Sequence, residues 1–262
     1  WTLRDESSIC YGPFGNKEPA NSKGSGDDGS HKTYITTAIN YTNGPAHMGH
    51  AYEGTTTDAL ARYYRLRDGS ENVHFVTGTD EHGEKISKTA EANHQTPIEL
   101  CDKYANGFQC LNQRVLISNN DYIRTTLKRH ERTAQELWKK CAANGDIYLS
   151  SYSGWYNVRE ETFVTDSEAE LCNYIDAASG KPLQKVEEAS YFFKMSAYHE
   201  RLVKYIQDNP NFIRPEQHRK AILTRLESDA LRDLSISRTS FTWGIPVPEG
   251  FDSNHVMYVW FD

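Results

Sequence analysis

The β-favouring run Tyr34-Ile35-Thr36-Thr37-Ala38-Ile39 predicts a strand over 34–39, and beyond Pro45 the pattern changes period. Met48, Tyr52, Thr55, Ala59, Tyr63 and Leu66 recur three and four apart, which predicts a helix with these residues on one face, ended by Asp68-Gly69. Val73-His74-Phe75-Val76-Thr77 predicts a second strand. Strand, helix, strand over this span is a right-handed crossover and implies a parallel sheet. Ligands of such sheets bind beyond the carboxyl ends of the strands. Two polar clusters follow those ends, at 43–50 and 78–83.

Further along, a helix is predicted over 84–93, and Thr96-Pro97-Ile98-Glu99 supplies an N-cap, a proline at the first helical position and a capping-box glutamate. That second helix carries Ile98, Cys101, Ala105, Phe108, Asn112 and Val115 on one face. Tyr122-Ile123 marks a short strand, and a helix over 127–143 closes at Asn144-Gly145. Short aromatic strands are then predicted at 147–149, 155–158 and 191–193, with a turn at Ser179-Gly180-Lys181-Pro182. Helices return at 197–207 and 215–226, and 256–261 is apolar enough for a central sheet strand. The chain therefore reads as an α/β parallel-sheet domain interrupted by a mixed α/β insertion, without internal repeats. Residues 15–30, rich in Gly, Asn, Ser, Lys, Pro and Asp, read as a linker or disordered stretch.

Composition narrows the class. The 262 residues suit one large domain or a domain with an insertion. Hydrophobic content is 37% and mean hydropathy −0.73, and no apolar run approaches the ~20 residues a membrane-spanning helix needs. A chain opening on Trp1 is expected to be a processed or trimmed product, and 1–32 has the features of neither a transit nor a signal peptide. Cys10, Cys101, Cys110, Cys141 and Cys172 are odd in number and scattered, which points to a reducing compartment without a disulfide framework. Cytoplasm or an organellar matrix is the expected location. A net charge of −7 argues against a general nucleic-acid coat protein. Lys128-Arg129-His130 with Arg132, and Arg214 with His218-Arg219-Lys220, are local basic patches, though solvated helix faces account for them more simply.

The chemistry concentrates at His47-Met48-Gly49-His50. Two imidazoles three apart at a helix start face one another across a turn, and Gly49 lets a ligand approach the backbone. Free N–H groups and the helix dipole add a cradle for phosphate. Imidazoles placed there can donate to charge developing on a phosphoryl group. The alternative is packing at a helix cap, and a cap-side imidazole is expected to contribute little to stability.

Three ordered segments carry a resemblance. Residues 37–50, ending in His47-Met48-Gly49-His50, resemble the His-Ile-Gly-His signature of class I aminoacyl-tRNA synthetases. Phe75-Val76-Thr77-Gly78-Thr79-Asp80-Glu81-His82-Gly83 resembles the second signature of the methionyl branch. Asp233-Leu234-Ser235-Ile236-Ser237-Arg238, Trp243-Gly244-Ile245-Pro246-Val247-Pro248 and Tyr258-Val259-Trp260-Phe261-Asp262 are similar to the segment leading back into that family's catalytic sheet. The resemblance runs from about Thr33 to Asp262 and has a bacterial or organellar flavour.

It implies a Rossmann-like catalytic sheet with a connective-peptide insertion, activation of L-methionine by ATP with Mg2+, and transfer of methionyl to tRNA(Met). His47, His50 and Arg238 would be catalytic, and Asn43, Gly44, His47, Gly49 and His50 would hold the nucleotide. Asp80 suits the α-ammonium. Tyr41 and Trp260 suit the thioether, since sulfur against an aromatic ring gains about 0.3–1.5 kcal/mol, with Ala38, Ile39 and His82 nearby. For Arg238 a plain salt bridge is the competing reading. Many relatives bind zinc through Cys-x-x-Cys pairs in the insertion, but only Cys141 and Cys172 lie there, so no metal site is expected. The implied division is a 1–32 extension, a first catalytic half at 33–125, an insertion at 126–252 and the start of a second half at 253–262. No Lys-Met-Ser-Lys-Ser loop or anticodon-binding domain lies within the chain, so a fragment without activity of its own is expected. The rivals are an adenylyltransferase of the nucleotidyltransferase group and a non-catalytic synthetase-like binding module.

Overall fold

The expected strand–helix–strand crossover is present. In the computed structural model, which describes residues 32–157, 162–164 and 166–261, Thr33–Thr36 (β1) and Asn40–Tyr41 (β2) precede Met48–Asp68 (α1) and Val73–Asp80 (β3). Glu84–Ala92 (α2), Pro97–Arg114 (α3) and Asp121–Arg124 (β4) follow. β1, β2 and β4 all pair with β3 in parallel, so β3 is central. It is buried along nearly its whole length, as a strand covered on both faces should be. The predicted strand 34–39 differs in detail. It begins one residue earlier and is interrupted at 37–39, where three residues oppose only Thr77 and Gly78 of β3. This is a bulge. Hydrogen bonds hold it: the Ala38 N–H donates to Glu53 Oε1 at 3.0 Å, and the Thr37 and Thr77 hydroxyls lie 2.7 Å apart.

α1 is where the helical period predicts it, but its buried face is another one. Met48, Tyr52, Tyr63 and Leu66 are exposed, whereas Gly54, Asp58 and Ala61 are buried. The reason is a polar seam to the loop after α3. The Asp58 carboxylate accepts from the Ser118 N–H at 2.8 Å and from Arg62 at 2.6 Å, and a Cβ at Gly54 would already touch Ile117. α3 follows the reading closely: Thr96 caps it, Pro97 opens it and Glu99 closes the capping box. Leu100, Cys101, Ala105 and Phe108 are its buried residues.

Contacts cluster the chain into a first unit, up to Glu81 with Lys85–Thr125, and a second, His82–Glu84 with Thr126 onward. In the second, Lys128–Ala143 (α4) leads into Ile147–Asn157 (β5), Thr162–Val164 (β6), Asp166–Leu171 (α5) and Gln184–Phe193 (β7). His199–Asp208 (α6), Glu216–Ser228 (α7), Leu234–Ser235 (β8), Ser237–Arg238 (β9) and Val256–Met257 (β10) complete it. β6, β5, β7 and β8 form an antiparallel sheet. The strands predicted at 147–149 and 155–158 are one strand, because antiparallel pairing to β7 carries β5 through the polar residues between them; Val158 lies outside the described residues, as does the linker at 15–30.

The run 256–261 is not a central strand. Val256 and Met257 pair antiparallel with β9, and the chain then turns, with the Phe261 N–H donating to Tyr258 O. Its apolarity serves a core in which fully buried Trp138 meets Tyr191, Phe251 and Phe261 edge to face.

Candidate functional site

His47 is the N-cap of α1, in extended conformation, and the cap is built from two imidazoles. The Gly49 N–H donates to His47 Nδ1 and the His47 N–H donates to His50 Nδ1, both at 3.1 Å. This is a reciprocal capping box with histidines in the places of the usual hydroxyl and carboxyl. A neutral imidazole that accepts at Nδ1 carries its proton on Nε2. The cap therefore selects one tautomer in both rings and leaves each with an Nε2–H donor. The rings stack at 3.7 Å between centroids, and Phe108 closes against His50 edge-on at 4.9 Å. Burial first, and the neighbouring His47 second, push the pKa of His50 below the usual histidine value, against an opposing pull from Glu53. Gly49 leaves room for this cap: a Cβ there would lie 3.0 Å from His47 Cε1, and the capping ring would have to shift to admit it. Around Gly44, by contrast, a Cβ would meet nothing within 4 Å, and Asn43 beside it is exposed.

Tyr41 and Asp80 are direct partners across β2 and β3, both half-buried at the carboxyl ends of their strands. Thr42 follows, fully buried, its N–H and hydroxyl both donating to Asp80 O at 3.0 and 3.2 Å. Ala38 and the exposed Ile39 lie in the bulge at the same end. The parallel crossover thus brings Ala38, Ile39, Tyr41, Asn43, Gly44, His47, Gly49, His50 and Asp80 to the carboxyl edge of one sheet. A hollow of about 290 Å³ bordered by Thr33, Ser70, Asn72 and His74 sits at the opposite, amino-terminal edge. By the rule for open parallel sheets it is the wrong edge for the chemistry.

Glu81 and Arg124 were not among the residues singled out from the sequence. The Glu81 carboxylate is fully buried and accepts from Arg124 Nε at 2.7 Å and from the Thr79 hydroxyl at 2.7 Å, while Arg124 also donates to Asp102 at 2.6 Å. Burial opposes the guanidinium's charge, but Glu81 and then Asp102 outweigh it and raise its pKa above the usual arginine value. Burial pushes the Cys101 thiol up to about 11, so it is a protonated donor to Glu81 O rather than a nucleophile. The signal was legible: an acidic pair ending a strand buried on both faces requires a nearby cation.

The remaining predicted residues lie in the second unit. His82 is buried and packs edge-on against Trp243 at 5.6 Å, and the Gly83 N–H donates to Trp243 O. Arg238 is only 3% exposed, its guanidinium 3.8 Å from the Tyr258 ring centroid, and it donates to the Ser235 hydroxyl and Ser237 O. Trp260 is 56% exposed on the turn after β10. Among the described residues no three His, Cys, Asp or Glu side chains gather as metal ligands, and no helix is long and apolar enough to cross a membrane.

The family model described as tRNA synthetases class I (M) matches residues 33–185 and 168–262. Methionine–tRNA ligase of Rhizobium meliloti is 47% identical over 233 residues, covering 87% of this chain and 44% of the relative. That of Bacillus subtilis is 43% identical over 238 residues, 87% of this chain and 35% of the relative. A crystal structure of Mycobacterium tuberculosis methionyl-tRNA synthetase bound by methionyl-adenylate superposes with a TM-score of 0.80 at 44% identity, over 88% of this chain and 45% of that one. The chain thus spans less than half the length of these relatives.

Proposed function

The chain belongs to the class I (M) tRNA synthetase family, and from that premise we propose that it is part of a methionine–tRNA ligase, which activates L-methionine with ATP and passes the methionyl group to tRNA(Met). The observation that carries the reading is the two-imidazole cap of α1. Attack of the methionine carboxylate on the α-phosphorus forms the C–O–P bond of the adenylate and expels pyrophosphate. Negative charge grows on phosphoryl oxygens meanwhile. The Nε2–H groups of His47 and His50 would donate to those oxygens at a helix N-terminus, each contributing about 2.7–4 kcal/mol by analogy with an oxyanion-hole donor. Asn43, Gly44 and Gly49 would border the nucleotide, and Mg2+ would arrive with its phosphates as part of the substrate.

In this reading Asp80 accepts from the α-ammonium, while Ala38, Ile39, Tyr41, His82 and Trp260 surround the methionine and Arg238 serves the activation step. Three further elements of the proposal are the division into a catalytic half at 33–125, an insertion at 126–252 and a returning catalytic segment from 253, an insertion without zinc, and a location in the cytoplasm or an organellar matrix. The test is methionine-dependent pyrophosphate exchange by the complete gene product that contains this chain. His47→Asn supplies a side chain that caps helices well but lacks the ring, so exchange should fall by about 10²–10³ while the fold persists. Full exchange in that variant, or exchange driven equally by other amino acids, would overturn the reading.

A further inference from the structure

Residue 81 is held by every kind of group it offers. Its N–H donates to Thr125 Oγ1 at 3.0 Å, its carbonyl accepts from the Cys101 thiol at 3.4 Å, and its carboxylate accepts from Thr79 and Arg124. On the other side of Asp80, the Thr79 carbonyl accepts from the Thr125 N–H at 3.2 Å. The Asp80 carbonyl accepts twice from Thr42. The backbone carrying the Asp80 side chain is therefore anchored before, at and after that residue. The anchorage includes a salt bridge, the Glu81–Arg124 pair, whose carboxylate is fully buried and whose arginine side chain is 21% exposed. Arg124 also reaches Asp102 on α3, so one guanidinium joins β4, the end of β3 and α3.

We infer that Arg124 is a positioning residue for the amino-acid subsite: by fixing and neutralising Glu81 it holds Asp80 where the substrate's α-ammonium is bound. This rests on the proposed role of Asp80. Two consequences follow from the geometry. Loss of the guanidinium removes one of the ties on the Glu81 side chain and loosens the backbone beside it that carries Asp80, and misplacement of a binding group by about 1 Å can cost on the order of 10²-fold. It also leaves a buried carboxylate one residue from Asp80 without the guanidinium that compensates its charge. Neither consequence touches ATP.

The test uses the complete gene product containing this chain, with Arg124→Met, Arg124→Lys and the double variant Arg124→Met/Glu81→Gln assayed by pyrophosphate exchange. Arg124→Met should raise KM for methionine about 10- to 100-fold, leaving KM for ATP unchanged and kcat within a few-fold. Arg124→Lys, which keeps the charge but not the fork, should show a smaller rise in methionine KM than Arg124→Met, and so should the double variant, which removes the uncompensated carboxylate. Fraction folded, from circular dichroism, is measured alongside. If Arg124→Met lowers only the folded fraction, with an unchanged methionine KM per folded molecule, the inference is overturned. Should Arg124→Met not fold, Arg124→Lys decides it by the same split, since the guanidinium fork is lost there while the charge stays, and an unchanged methionine KM in that variant sinks the inference. A wild-type protein without methionine-dependent exchange would remove the underlying reading, and this inference with it; an active wild type with indifferent variants removes this inference alone.

Discussion

At the scale of single residues, the two histidines that advertise a phosphate site in the sequence are also the fastening of the helix that carries them. The sequence reading expects little stability from a cap-side imidazole, yet His47 Nδ1 accepts the Gly49 N–H as a capping hydroxyl would. His47→Ala should therefore lower stability by about 0.5–2 kcal/mol, and His47→Asn by much less, measured by chemical denaturation. His50 adds a pH dependence whose sign follows from its depressed pKa. The unfolded chain takes up the proton near the ordinary value of 6.5 while the folded chain resists it. The contribution of His50 to stability is thus complete above that value, and is lost as pH falls below it toward the folded-state pKa. Protonation would also abolish the Nδ1 acceptor of the cap. Melting temperatures of wild type and His50→Asn between pH 8 and pH 5 should converge on acidification; parallel curves would refute the linkage.

At the scale of elements, periodicity identified the helices well but could not say which side of α1 is buried. Its apolar stripe faces outward because Asp58 and Gly54 meet the 117–118 loop, a tertiary contact that no local pattern encodes. Caps were legible because their chemistry is local, as at Thr96-Pro97-Ile98-Glu99. The β5 strand was split, and 256–261 promoted to a central strand, because strand length depends on a partner distant in sequence. One strand position carries a sharp expectation. A Cβ at Gly78 would lie 2.0 Å from the Ile123 carbonyl oxygen of β4, backbone that has no rotamer to yield. Gly78→Ala should cost about 3 kcal/mol, the upper end for overpacking, and denaturant midpoints will measure it.

At the scale of the whole chain, the two units answer to different constraints. The first was legible down to most of its candidate site, because a parallel crossover and a helix start together dictate where a ligand can sit. The second was legible as a change of pattern at 147, but its core was not: Trp138 reads as one more residue of an amphipathic helix. In the structure it is fully buried, and three aromatic rings meet it edge to face. Trp138→Ala should cost about 3–5 kcal/mol. Tryptophan-138 loss is best followed by far-ultraviolet circular dichroism against denaturant, and a change under 1 kcal/mol would mean that this core is not what holds the antiparallel unit.

The interruption at 37–39 acts as a half-period phase shift in the sheet. Side chains of a strand alternate between its two faces, and residues directly paired across parallel strands share a face. Were β1 to run on into β2 in the register it starts with, Tyr41 would fall opposite Glu81 and point away from Asp80. The single supernumerary residue restores the match, so that ring and carboxylate emerge on the same side. A smoother strand would have a longer unbroken ladder and would turn the aromatic residue to the wrong side of the sheet.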